Sequence, residues 1–222
     1  MNHTLEIDGV QLQFAHRFIL SDVYVRCDTG SITGLLGRNG SGKSCFMQVA
    51  FGTMQAYTRS VRCNGKHIRR AYTVPGLLNY LPQFHFIPAS MKVTTALKYY
   101  GIAPQTLFAH FPEYEPDMHK TMEELSGGQR RMIELSIILL ADTKFSILDE
   151  PFTHIMPLHV ESIIALMQTI KHRKGIIVTD HMYKHILQVS DTLYLLNNGK
   201  THLISHPNQL VQHGYVSHIL NE

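Results

Sequence analysis

The stretch SITGLLGRNGSGKS at positions 31–44 constrains this chain more than any other. Residues 31–36 are a short apolar run of strand length. Gly37, Arg38, Asn39, Gly40, Ser41, Gly42, Lys43 and Ser44 follow in the spacing G-x-x-x-x-G-K-[ST], and from Cys45 to position 51 the pattern turns helical. A strand, a glycine-rich loop and a helix in that order are the context that makes this spacing a phosphate loop. Glycines let the backbone curl until successive N–H groups point inward at a phosphate chain. The helix that opens behind them adds partial positive charge at its N-terminus. Lys43 is then placed to reach β- and γ-phosphates, and the Ser44 hydroxyl to hold Mg²⁺. A nucleoside triphosphate is the expected ligand.

Composition sets the frame for that loop. The 222 residues suffice for one α/β domain, and 44% hydrophobic with 17% charged residues is ordinary for a globular protein. The net charge of +3 comes from 20 basic and 17 acidic residues, too small an imbalance to mark a nucleic-acid patch. Cys27, Cys45 and Cys63 lack C-x-x-C spacing and read as free thiols of a reducing compartment. The 15 histidines read as solvated surface residues, with His181 set apart. No apolar run approaches the ~20 residues of a membrane span. The first ten residues lack the basic-then-apolar pattern of a signal peptide. A cytoplasmic location is expected, with any membrane service given through a partner.

Along the chain, residues 4–7 and 10–14 flank Asp8-Gly9, which reads as a hairpin turn. Residues 18–26 form a further strand, and 57–63 with Asn64-Gly65 another hairpin. The strand at 77–81 ends at Pro82 and Gln83. Residues 93–100 and 104–111 read as short helices, followed by an acidic, proline-broken connector (Pro112, Glu113, Glu115, Pro116, Asp117). A helix is expected from 125 to about 141, a strand at 144–148, an amphipathic helix at 158–172 and a strand at 175–179. A hairpin at 192–204 and a closing helix at 207–213 finish the pattern. The fold class expected is α/β: a mainly parallel core sheet, an N-terminal antiparallel β-subdomain and a short inserted helical subdomain at 84–124, all within one domain of residues 1–222.

Four features after the loop narrow its chemistry: Gln83 behind a strand, LSGGQ at 125–129, FSILDE at 145–150, and His181 behind another strand. Together with the phosphate loop, in this order and over essentially the whole chain, they resemble the ATP-binding cassette (ABC) ATPase domain. The resemblance implies an ATPase of the P-loop class that takes ATP and Mg²⁺. It implies that Asp149 holds Mg²⁺ through water beside Ser44 and Gln83, and that Glu150 polarises the attacking water. Gln83 would report γ-phosphate occupancy, and His181 would orient Glu150 and the water. Phe14 stands where the family stacks an aromatic ring on adenine, with Phe18 as competitor. Ser126, Gly127, Gly128 and Gln129 would contact ATP held by the opposite protomer. A homodimer or a paired ABC subunit is therefore expected, with two ATP molecules between the subunits.

One segment departs from the family pattern. Glu150-Pro151-Phe152-Thr153-His154-Ile155-Met156-Pro157 places Met156 where the family has the D-loop Asp that couples the two sites. Thr153 or His154 would substitute only in part. The aromatics Phe84, Phe86, Tyr99, Tyr100 and Phe108 suit either the groove for a membrane subunit or the core of the insert. The function expected is the ATPase subunit of an ABC transporter, powering separate transmembrane permease subunits from the inner face of the membrane. A nucleic-acid or ribosome-directed cassette, or a weakly active regulatory one, is the alternative.

Overall fold

The computed structural model describes residues 2–153 and 155–217; His154, and with it any part it plays in the D-loop, lies outside the described residues. Strands β1 (Thr4–Phe14), β2 (Arg17–Asp28), β4 (Thr58–Cys63) and β5 (Lys66–His67) are antiparallel. Strands β3 (Ile32–Leu36), β6 (Leu78–Leu81), β7 (Phe145–Asp149), β8 (Gly175–Thr179) and β9 (Thr192–Asn197) form a parallel block. With β10 (Lys200–Ile204), antiparallel to β9, they make a 10-stranded sheet in the order β5-β4-β1-β2-β10-β9-β3-β8-β7-β6. The expected α/β class, with a parallel core and an antiparallel N-terminal part, is borne out.

β3, β7 and β8 are buried at every position, which is why they read as unbroken apolar runs rather than alternating ones. Their two faces feed two separate clusters. Leu35, Ile147 and Ile177 point into one with Phe46, Met47 and Val49 of α1 (Lys43–Phe51). Leu36, Leu148, Ile176 and Val178 point into the other. That second cluster is closed by α4 (Gly127–Leu140), α5 (Pro157–Ile170) and α6 (Tyr183–Val189). It also takes Val93, Ala96 and Leu97 of α2 (Val93–Tyr99) and Leu107 of α3 (Pro104–Phe108), so the helices between β6 and β7 share the main core. α7 (Asn208–Gln212) adds Leu210.

Several expectations change. Asp8-Gly9 is not a hairpin turn: β1 runs through it, and the pairing shifts by one between Ile7↔Val25 and Val10↔Val23. Gly9, at φ 59°, supplies a β-bulge, and the reversal falls at Ala15 instead. Both halves of β1 pair with β2, so a continuous strand satisfies more backbone groups than a reversal at Gly9 would. The 104–111 helix stops at Phe108, and the proline-rich connector is a 3₁₀ segment at Pro112–Asp117. α6 was not foreseen. Among the aromatics of the insert, Phe84 and Tyr99 are exposed, while Phe86, Tyr100 and Phe108 pack on the core.

Lys174 is buried at 1% exposure between α5 and β8. Its Nζ donates to Ala141 O at 2.8 Å and Ile138 O at 3.4 Å, the carbonyl end of α4, and to Thr143 Oγ1 and Ser146 Oγ, each at 3.2 Å. Burial, helped by Arg173, pulls its pKa down to about 7. Between about pH 7 and 10.5 the unfolded chain therefore holds a proton that the folded chain has released, and stability rises with pH. Urea unfolding of the wild type should gain up to ~1.4 kcal/mol per pH unit over Lys174→Met in that window, and nothing below it.

Candidate active site

The phosphate loop leaves β3 at its carboxyl end and closes on α1 through Gly42, whose φ of 102° only glycine adopts without strain. Phe46 N–H donates to Gly42 O at 2.9 Å, starting the helix. A Cβ at Gly37 would lie 2.6 Å from Ser41 Oγ and 2.9 Å from Leu196 O, so the first position of the loop has no room for a side chain. Lys43 is 5% exposed. Its Nζ spans the loop, donating to Gly37 O at 2.8 Å and Arg38 O at 3.3 Å. Burial lowers its pKa, opposed by the carboxylates of Glu150, Asp149 and Asp180.

The loop opens on a cleft of about 580 Å³ lined by Phe14, Ile19, Asn39, Gly40, Gly42, Lys43, Ser44, Cys45, Gln83, Glu150 and His181. Most of the residues singled out from sequence thus meet in one place. Phe14 reaches it and Phe18 does not line it. Arg38 and Ser41 face a second pocket beyond the loop, where Arg38 Nη2 donates to Gly214 O at 2.6 Å. Neither of them lines the cleft.

At the base of the cleft Ser44 Oγ donates to Asp149 Oδ1 at 3.2 Å. Gln83 Nε2 donates to Ser44 Oγ at 3.0 Å and to Asp149 Oδ1 at 3.4 Å. Asp149 is 1% exposed, and burial raises its pKa against the hydrogen bonds from Ser44, Tyr80 and Gln83. A buried carboxylate and a hydroxyl 3.2 Å apart are hard donors of the kind Mg²⁺ takes together with phosphate oxygens, and Gln83 places its amide beside them with the nitrogen turned inward; the amide oxygen would join the set with the amide turned over. No cluster of three or more His, Cys, Asp or Glu among the described residues offers a metal an alternative.

Glu150 follows at φ 49°, a left-handed conformation uncommon outside glycine and concentrated at functional sites. Its N–H donates to Thr179 O at 2.9 Å, tying it to β8. His181 Nδ1 stands 3.8 Å from Glu150 Oε2 and 3.3 Å from Asp180 Oδ1. Asp180 is fully buried and accepts from Phe152 N at 3.2 Å and Met182 N at 2.9 Å, holding the chain on both sides of the cleft.

Ser126, Gly128 and Gln129 lie elsewhere, in a groove of about 270 Å³ shared with Glu113, Tyr114, Met132, Met156 and His159. Ser126 Oγ caps α4 by accepting Gln129 N at 3.3 Å, and Gln129 Oε1 accepts Ser126 N at 2.9 Å. Gln129 Nε2 also donates to Asp117 at 3.0 Å, so this side chain is engaged within its own subunit. No Cβ clash crowds Gly127.

Sequence reasoning missed Tyr80, Arg131 and Asp180. Tyr80 Oη donates to Asp149 Oδ2 at 3.0 Å from inside β6. In sequence a tyrosine in a strand signals packing, and only the neighbouring β7 shows where its hydroxyl goes.

A phosphate loop at the carboxyl edge of a parallel sheet, with a strand-end carboxylate and a following glutamate, defines a P-loop ATPase. The family model described as ABC transporter matches residues 20–153. The lipopolysaccharide export system ATP-binding protein LptB of Acidithiobacillus ferridurans is 27% identical over 95% of this chain and 93% of its own length. The iron(3+)-hydroxamate import ATP-binding protein FhuC of Bacillus subtilis is 25% identical over 89% of this chain and 80% of its own. A solved ATP-binding subunit of an ABC transporter superposes with a TM-score of 0.81 at 21% identity, covering 95% of this chain and 93% of that one. The chain belongs to the ABC transporter family, as an ATP-binding, ATP-hydrolysing subunit.

Tyr80→Phe keeps the ring of β6 and removes one of the three hydrogen bonds on Asp149. The Mg²⁺ concentration for half-maximal ATPase activity should change by about ten- to 100-fold, the roughly 1.5–3 kcal/mol of one hydrogen bond to a charged group. Metal-free nucleotide binding should stay as in wild type.

Proposed function

We propose that this chain works as half of a composite ATPase: it holds ATP in the cleft and presents Ser126, Gly127 and Gly128 to ATP held by a second subunit. The observation that supports this reading is the separation of the two sets. Lys43, Ser44, Gln83, Glu150 and His181 share the cleft, whereas the signature turn lines a different groove. The second subunit is another copy or a paired ABC subunit.

Within the cleft, Lys43 and the N–H groups of residues 39–44 neutralise the phosphate chain, and Phe14 takes the adenine ring. Ser44, Gln83 and Asp149 would hold Mg²⁺, which would supply neutralisation of phosphate charge. Glu150 polarises the attacking water as general base, and His181, within 3.8 Å of its carboxylate, orients it. Residues 1–222 act as one cassette, with 84–124 as its helical insert. No helix among the described residues is long and apolar enough to cross a membrane. Separate permease subunits would then carry the cargo, with this chain peripheral to them at the cytoplasmic face. The exposed Phe84 and Tyr99 of the insert suit that contact.

Glu150→Gln should bind ATP, accumulate an ATP-dependent dimer by size exclusion, and release phosphate at least about 100-fold more slowly. A wild-type rate removes Glu150 from the base role. Met156, 60% exposed at the start of α5 and beside Ser126 and Gly128 in the groove, offers no carboxylate to link two sites. ATP turnover should therefore show a Hill coefficient of about one, and a value near ~2 would contradict the weakened coupling.

A further inference from the structure

Arg131 is a buried cation that the reaction described above does not use. It sits on α4 at 3% exposure. Nη1 donates to Pro82 O at 2.6 Å, and Nη2 to Asp149 O and Glu150 O, each at 3.1 Å. Among the described residues its hydrogen-bond acceptors are backbone carbonyls, while the carboxylates of Glu134, Asp149 and Asp180 act on it through charge at longer range. Burying a guanidinium is costly, and these charge-assisted bonds, with the nearby carboxylates, offset the cost.

Which carbonyls they are matters. The Pro82 carbonyl belongs to the peptide that carries the Gln83 N–H, and the Asp149 carbonyl to the peptide that carries the Glu150 N–H. The third belongs to Glu150 itself, the residue held at φ 49°. A rigid, planar fork therefore fixes the two backbone positions from which Gln83 and Glu150 enter the cleft. α4 grips the chain beyond Gln83 as well: Glu134 accepts from Phe86 N at 3.2 Å, Ile87 N at 3.3 Å and His85 Nδ1 at 2.8 Å. The same helix starts at Ser126 and Gly127.

We propose that Arg131 is a positioning residue that makes the placement of Glu150 and Gln83 depend on the position of the signature helix. A shift of α4, driven by what its first turn meets, moves three carbonyls and with them the base and the γ-phosphate sensor of the same subunit. This rests on the reading of Glu150 as base and of the signature turn as the contact to the second subunit's ATP. Arg131 touches no substrate, so its removal acts on the chemical step through geometry. Misplacement of about an ångström is sufficient to slow a reaction by up to ~100-fold.

Arg131→Gln and Arg131→Lys in the full chain test it, with steady-state ATPase kinetics, equilibrium ATP binding and thermal melting on each. The expected result is a kcat lowered by about ten- to 100-fold, with KM and ATP affinity within about threefold of wild type. The lysine variant, which keeps a cation without the fork, should recover part of the loss. A folded variant with wild-type kcat overturns the proposal. So does a loss of ATP affinity in step with a lowered melting temperature, or a failure of both variants to fold, since each marks a purely structural pin. Glu150→Gln run alongside separates the two readings. If it hydrolyses normally, the base assignment fails; if it is inactive while both Arg131 variants match wild type, only this proposal fails.

Discussion

The hydrogen bond from Ser44 to Asp149, 3.2 Å long, joins residues 105 positions apart, and the cleft depends on it. It forms because β3 and β7 lie one strand apart, on either side of β8, and all three run the same way. Parallel strands deliver their carboxyl ends to one edge of the sheet. β3 therefore brings the phosphate loop, β7 brings Asp149 and Glu150, and β8 brings Asp180 and His181. The register is held by the apolar faces: Ile176 and Val178 feed one cluster and Ile177 the other, so a slip of one residue would exchange both cores.

That edge concentrates charge with little access to water. Lys43, Arg131, Asp149 and Asp180 are each at most 5% exposed. Asp149 is raised by burial even with three hydrogen bonds, and Lys43 is lowered even with three carboxylates nearby. Asp149 and Lys43 are thus each compensated only in part by the protein's own groups. The left-handed Glu150 belongs to the same edge, held between Thr179 and Arg131.

Legibility followed the range of the interactions. The phosphate loop, the signature turn and the strand-end Asp149 could be read because their chemistry is local: consecutive residues curl, cap or terminate by themselves. Asp8-Gly9 misled because turn chemistry and bulge chemistry ask the same of the backbone, and pairing with β2 chose the bulge. α6 escaped notice as a short segment whose Ile186 and Val189 find their partners across the sheet. Tyr80, Arg131 and Lys174 look in sequence like a packed ring and two surface cations. Their polar atoms are in fact spent on other elements, at distances no local pattern encodes.

The sequence by itself determined that a phosphate loop follows a buried strand, that a helix opens at the LSGGQ stretch, and that the fold is α/β, because spacing and apolar periodicity act within a few residues. Tertiary structure alone decided which side chains share the cleft and which stay outside it. Strand order and direction set that outcome, and they arise from burying two faces of one sheet at once. By the same packing α4 came to hold Gln83 and Glu150 through a single buried guanidinium.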